Sequence, residues 1–289
     1  MSVLLQALVS GLAIGAVFAA VGLGFVLIYR VTNVINFAQG ALVVLGGMFT
    51  AKLAASLAAP VAATAALLAS AFAGALVGWF SLVGWAGHEL AVVMVTLGLA
   101  VASEGIFIWL WGDIPVTYPP VGSTALDFFG AKVLPQQLLV IGVIAAVFAV
   151  LHLFFRFSYL GKALTAAALN PTAARVCGID TTVMGVMAFA VSSLLSGLAG
   201  LLLVPLVPFT PHVHVSLAIN GFAAAVVGRL TDPLRAILGG LLLGELEAIV
   251  ASYWDPNYQE VMALALLVAL LLAQSARWSW RWRRHGTGA

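Results

Sequence analysis

Residues 28–47 read Ile-Tyr-Arg-Val-Thr-Asn-Val-Ile-Asn-Phe-Ala-Gln-Gly-Ala-Leu-Val-Val-Leu-Gly-Gly. They place Asn33, Asn36 and Gln39 at helical spacing between two strongly apolar segments. Burying an amide in hydrocarbon is costly unless it finds a partner, so polar groups at such depth either line a polar route or join helices. Gly40, Gly46 and Gly47 lower helix stability here and permit close approach or a local break. A break frees backbone groups that are tolerated only against protein or a water-filled cavity. The chemistry of the three amides leaves both readings open.

The rest of the chain supplies the setting. Of 289 residues, 63% are hydrophobic and only 8% charged, and the mean hydropathy is +1.15. Ordinary soluble domains carry about a quarter charged residues. Repeated apolar runs of about 20 residues indicate an all-α polytopic membrane protein. A net charge of +2, scattered over the loops, gives no sign of a nucleic-acid partner. The single cysteine, Cys177, excludes an intrachain disulfide and a cysteine metal cluster. Residues 1–28 lack a basic leader, so the first apolar stretch is read as a permanent span.

Apolar runs fall at 3–28, 34–56, 60–83, 90–111, 135–155, 181–206, 213–230, 234–253 and 260–275. The stretch 213–230 either spans or re-enters beside Thr231-Asp232-Pro233, so the expected count is eight or nine, with some helices broken or re-entrant. With nine spans and the 156–179 loop in the cytoplasm, ten cations lie inside (Arg30, Arg156, Lys162, Arg175, Arg229, Arg235, Arg277, Arg281, Arg283 and Arg284) against Lys52 and Lys132 outside. That asymmetry places the C-terminus in the cytoplasm. The whole chain, 1–289, reads as one transmembrane domain with a cytoplasmic lobe at 156–180 and a cytoplasmic tail at 276–289. Tryptophans interleaved with cations at 277–284 suit an anchor in membrane lipid. Arg30-Val-Thr-Asn…Gly40-Ala-Leu and Arg229-Leu-Thr-Asp…Gly239-Gly-Leu match at an offset of 199, which suggests an internal repeat.

Four further features carry chemistry. Val95–Gly105 contains Thr96 and, well inside the span, Glu104, a carboxylate able to meet an ammonium group or to join helices. Residues 156–179 form two short alanine-rich helical pieces around Asn170-Pro171, with Gly178 as the stop. Too long for a turn and too polar at its ends to span, this loop reads as a docking element. In Gly239–Ala248, Glu245 and Glu247 point about 200° apart on a helix and cannot act as a pair; Arg235 is a candidate partner for Glu245. His212 and His214 lack the further ligands a metal site needs, so they read as a solvated or interfacial pair. No phosphate-binding Gly-x-x-x-x-Gly-Lys-Ser/Thr loop is present, so an ATP-driven process would need a separate motor.

Several of these stretches resemble the LivH-type permeases, membrane subunits of branched-chain amino acid ABC importers. Ile35-Asn-Phe-Ala-Gln-Gly40 is similar to their Ile-Asn-Phe-Ala-His-Gly signature, with Gln39 in place of His. Thr96-Leu-Gly-Leu resembles their Thr-x-Gly-Leu stretch, with Glu104 where Gln is common. Gly161, Lys162, Ala163, Asn170, Ala174, Gly178 and Ile179 match the loop that engages the ATPase in such importers, with Lys162 for Arg. Glu247 matches the acid of their Gly-Gly-x-x-x-Gly-x-x-Glu-Ala stretch.

The resemblance implies a substrate route over Asn33, Asn36, Gln39, Thr96, Glu104 and Glu247, and ATPase coupling through the 161–179 positions. It implies no cofactor and no catalytic or metal site. The partners it implies are a LivM-like second permease, two ATP-binding cassette subunits and a periplasmic or lipid-anchored substrate-binding protein, for which the Gly112–Pro135 loop is a candidate contact. The location it implies is the bacterial inner membrane. Relatives in this family serve branched-chain amino acids, urea, short amides and aromatic acids, so Gln39 and Glu104 leave the substrate open. The competing reading is an ion-coupled secondary transporter or channel that uses Glu104, Glu245 and Glu247.

Overall fold

The structure is a computed structural model that describes residues 2–84, 89–122, 124–128, 131–253, 258–259, 261–269 and 271–272. Ten helices carry it: α1 Ser2–Thr32, α2 Gln39–Leu53, α3 Ala59–Gly84, α4 Glu89–Trp111, α5 Pro135–Phe157, α6 Tyr159–Leu169, α7 Pro171–Val176, α8 Thr181–Leu203, α9 His214–Val227 and α10 Pro233–Tyr253. Residues 261–269 are also helical. The sole sheet among the described residues is a hairpin, β1 Leu126–Phe128 with β2 Ala131–Val133, which pairs Leu126 with Val133. It lies in the Gly112–Pro135 loop between α4 and α5. The tail 276–289 and the end of the 260–275 run lie outside the described residues.

Among the described residues, five helices (α1, α3, α4, α5 and α8) are long and apolar enough to cross a membrane. The expected span 34–56 shrinks to α2, which has 15 residues and is about 22 Å long. The expected span 213–230 becomes α9, with 14 residues and about 21 Å. A hydrocarbon core is about 30 Å thick, so neither crosses alone. Both follow a break in the chain and complete a crossing together with it. Residues 33–53 lead from the basic end to Lys52, and 204–230 lead from the end of α8 back to Arg229 at the basic end, so the latter stretch spans as a broken segment.

Helices α1 and α8 form the centre; α3, α4 and α5 turn broad apolar faces outward. Glycines set the closest approaches. Along the antiparallel pair α1–α10, Gly15 and Gly244 meet backbone to backbone, and Gly240 meets Ala19. Along the parallel pair α2–α8, Gly46 meets Gly197. Within a bilayer, where lipid is as apolar as leucine, such close packing rather than water exclusion holds helices together.

Arg30 and Arg156 lie in the last turns of α1 and α5, Arg229 just after α9, Arg235 at the start of α10, and Lys162 and Arg175 in α6 and α7; together they mark the basic end of the bundle. Lys52 and Lys132 lie toward the opposite end, beside the last turn of α2 and in the hairpin. There the irregular chain is pinned: Val116 and Phe209 form a two-bond antiparallel bridge. Buried Gln136 accepts from the Val121 amide at 3.1 Å and donates to the Leu202 carbonyl at 3.3 Å.

The two copies of the suspected repeat share only their setting. Each lies at the basic end where one helix stops and the next follows, after α1 and after α9. The left-handed residues are Asn33 in one and Arg229 with Leu230 in the other. Gly40 is the second residue of α2, whereas Gly239 is the seventh of α10.

Candidate functional site

Asn33 ends α1 in the left-handed conformation (φ 56°), and its amide bonds to the Tyr29 carbonyl at 2.8 Å. Asparagine tolerates this conformation better than most residues, which suits it to a helix stop. The chain then folds back, so that Gln39 opens α2 alongside Gly24 of α1.

Gln39 is fully buried. Its Nε2 donates to Ser192 Oγ at 2.7 Å and Ser196 Oγ at 2.6 Å on α8, and its Oε1 accepts from Asn36 Nδ2 at 3.3 Å. Asn36 Oδ1 accepts the Ala38 amide at 3.1 Å, and Thr96 Oγ1 of α4 accepts the Phe37 amide at 3.2 Å. Two amides of the unwound segment are thus satisfied, one by Thr96 of α4 and one by the Asn36 side chain, as a break at membrane depth requires, while Gln39 ties the start of α2 to α8. Gly24 makes the space: a methyl group there would strike the Gln39 amide and stand 2.6 Å from Ser192 Oγ.

Of the six route candidates, Asn36, Gln39 and Thr96 thus come together in one buried network, and Asn33 stands exposed at its edge. Ser192 and Ser196 stand out in the structure but not in the sequence. Their i, i+4 spacing on α8 was the available signal.

Glu104 is elsewhere, in a second cluster toward the hairpin end. Its Oε1 lies 2.5 Å from His212 Nδ1, and its Oε2 lies 3.8 Å from His214 Nε2. Asp113 Oδ1 lies 2.9 Å from His212 Nε2. The two histidines are therefore not merely solvated: His212 bridges two carboxylates, and His214 is buried with Nδ1 3.0 Å from the Pro211 carbonyl. The Glu104 hydrogen bond first, then the Asp113 charge, raise the His212 imidazole above its usual range. Because its two nitrogens face different carboxylates on opposite sides of the ring, His212 bridges rather than chelates, and no metal-holding group occurs among the described residues. A cavity of about 340 Å³ adjoins the cluster, lined by His212, Ser216, Ile219 and Asn220 together with Ala263 and Leu264.

The two acids of α10 separate. Glu247 is buried, and its carbonyl accepts from Gln259 Nε2 at 3.4 Å. Glu245 faces Gly11 of α1, and its Oε2 is buried without a hydrogen-bond partner among the described residues. The expected Arg235–Glu245 pairing is corrected: Arg235 Nε bonds Asp232 Oδ2 at 3.1 Å. Ten residues along a helix put Arg235 about 15 Å from Glu245.

At the basic end, α6 and α7 are the two helical pieces expected around Asn170-Pro171. Ser158 caps α6 through the Gly161 amide (2.9 Å), and Asn170 caps α7 through the Ala173 amide (3.0 Å). Gly161 is buried against the Phe154 carbonyl and the Phe155 backbone, so no side chain fits between α6 and the end of α5. Ala174 is buried, Ala163 half-buried and Lys162 exposed. Gly178 has φ 81°, stops α7, and lets the Ile179 amide bond back to the Ala174 carbonyl at 3.0 Å. Of the positions expected to couple, 161, 163 and 174 pack within the lobe and against its neighbours, while Lys162 is exposed.

A bundle of apolar spans, with a buried polar break in its middle and a capped helical lobe beyond one end, is the build of a polytopic membrane transport subunit. The family model for the permease component of branched-chain amino acid transport systems matches residues 7–271, and the chain belongs to that family. It is 26% identical to the high-affinity branched-chain amino acid transport system permease protein LivH of Salmonella typhimurium, covering 93% of this chain and 92% of that one. It is 28% identical to the corresponding permease protein BraD of Pseudomonas aeruginosa, covering 93% of each. A probable LivH permease of Methanocaldococcus jannaschii is 26% identical over 86% of this chain and 84% of its own. No solved structure matches the chain.

Proposed function

We propose that this chain is the membrane-spanning subunit of an ATP-driven importer for branched-chain or related amino acids, with urea, small amides and aromatic acids as further candidates. It works beside a LivM-like permease, two ATP-binding subunits and a substrate-binding protein, in the bacterial inner membrane with its basic end in the cytoplasm. The observation that carries this reading is the α6–α7 lobe. Capped at both helix starts and seated on α5 without intervening side chains, it transmits displacement instead of absorbing it.

Movement of Gly161–Ile179 by the motor shifts α5 and with it the spans. Asn36, Gln39 and Thr96 hold the break that lets α2 start inside the bundle, and Asn33 and Glu247 belong to the same moving frame. Glu104, beside the 340 Å³ cavity, is the route residue that a substrate ammonium meets. Uptake into proteoliposomes of the co-purified assembly tests this. Transport that needs internal ATP and survives collapse of ion gradients supports it. Transport by the solitary chain that stops on gradient collapse would instead favour ion coupling through Glu104, Glu245 and Glu247, for which the buried Oε2 of Glu245, without a partner among the described residues, is the supporting observation.

A further inference from the structure

A second cavity, about 460 Å³, opens at the basic end between α1, α5, α6 and α10. Its walls are apolar: Leu27 of α1, Phe148 and Phe155 of α5, Leu164 of α6 and Ile237 of α10 are representative. Its polar groups are Arg30, His152, Thr165 and Asp232. Leu234, 72% exposed, and exposed His152 mark where it reaches the surface.

The charge of this lining is decided by which groups are already engaged. Asp232 Oδ2 is held by Arg235 at 3.1 Å, and its Oδ1 accepts the Leu234 and Arg235 amides. Thr165 Oγ1 donates to the Gly161 carbonyl at 2.8 Å. Arg30 has no hydrogen bond or ion pair among the described residues. The lining therefore offers one uncommitted cation beside an apolar recess.

Depth agrees with this. Helix α1 has 31 residues and is about 46 Å long, which exceeds the about 30 Å hydrocarbon core. Arg30, two residues from its end, falls at headgroup level. The α6 wall belongs to a helix that exposes Tyr159, Leu160 and Leu169, as a helix lying in the interface does.

We propose that this cavity is a binding site for one anionic glycerophospholipid, with an acyl chain in the recess and its phosphate on Arg30. Basic recesses between membrane helices select headgroups in this way. The lipid wedges between α6 and the α1–α10 pair, and so sets the seat of the lobe.

The test is native mass spectrometry of the purified assembly, exchanged into equal amounts of phosphatidylglycerol and phosphatidylcholine of the same chain length. Wild type retains phosphatidylglycerol over phosphatidylcholine by about fivefold, the preference one surface cation gives. Arg30→Gln loses the preference and Arg30→Lys keeps it. Leu234→Trp, a change at the exposed mouth that leaves the core intact, loses the retained lipid altogether, as does Ile237→Trp inside. Glycerol phosphate does not displace the lipid, since it lacks the chain. Lipid retained equally by wild type and Leu234→Trp, no headgroup preference in wild type, or displacement by glycerol phosphate would each overturn the proposal. So would recovery of the assembly with this face covered by protein and no lipid bound.

Discussion

Replacing Gln39 by Leu separates a joint from a lining. The side chain makes two short bonds to Ser192 and Ser196 and accepts a third from Asn36. Side-chain hydrogen bonds between membrane helices average about 0.6 kcal/mol each, so losing all three costs about 2 kcal/mol. The serine hydroxyls recover part of that by turning to carbonyls one turn back on α8, as Ser193 already does to Phe189 at 2.7 Å. Asn36 Nδ2, whose one bond among the described residues is to Gln39, is left buried, and an orphaned buried amide costs about 1–3 kcal/mol, so the estimate stands near 2. The assay is equilibrium unfolding of the purified chain in mixed micelles, alongside uptake kinetics of the assembly. A joint gives lower stability with the KM of the surviving transporter nearly unchanged. Unaltered stability with a severalfold rise in KM would refute the helix-joining assignment and put Gln39 in contact with substrate.

The other predictions concern separate parts of the bundle. Gly161→Leu forces a side chain against the Phe154 carbonyl and Phe155 Cα. Overpacking of about 1–3 kcal/mol lifts α6 off α5, so uptake falls while ATP hydrolysis by the assembly continues; normal uptake would remove the lobe from coupling. The His212 bridge is pH-dependent with a definite sign. Its folded value is raised above 6.5, so its stabilisation is complete below that pH and is lost as pH rises through the raised value. His212→Gln flattens the wild-type decline in unfolding midpoint over that window, and parallel curves would show that the bridge does not form. Gly244→Val drives a branched side chain into the Gly15 backbone and destabilises by about 2 kcal/mol or more, read in the same micelle assay. Arg229→Gly relieves one left-handed residue (φ 52°) and stabilises by about 1 kcal/mol; a loss of stability would mean that the Arg229 side chain holds the α9–α10 turn.

The apolar run lengths made the polytopic helical class legible, and the caps around Asn170-Pro171 made the lobe legible, because both depend on residues adjacent in sequence. The length of α2 was not. Its first half became a fold-back because Thr96, 59 positions from Phe37, offered a partner to an unwound backbone amide, and Ser192 and Ser196, 153 and 157 positions from Gln39, held its side chain. The acid–histidine bridge escaped for the same reason: Glu104 and His212 are 108 residues apart, and neither carries a local mark of the other. The Arg235–Glu245 expectation failed because the i, i+3 neighbour Asp232 was nearer. Short-range competition won there.

The notch at Gly24 has a consequence for how this chain can vary. It links two positions fifteen residues apart, so their volumes trade against each other. Enlarging residue 24 alone collides with the Gln39 amide, and trimming residue 39 alone leaves a hole between α1 and α8. A Gly24→Ala change becomes tolerable once Gln39 is shortened, because Ser192, 2.6 Å from the new methyl, is then released to turn away, and the double variant outlives either single one. Divergence at this crossing therefore proceeds most readily by paired steps, and a library that randomises position 24 while holding Gln39 fixed will favour the starting glycine.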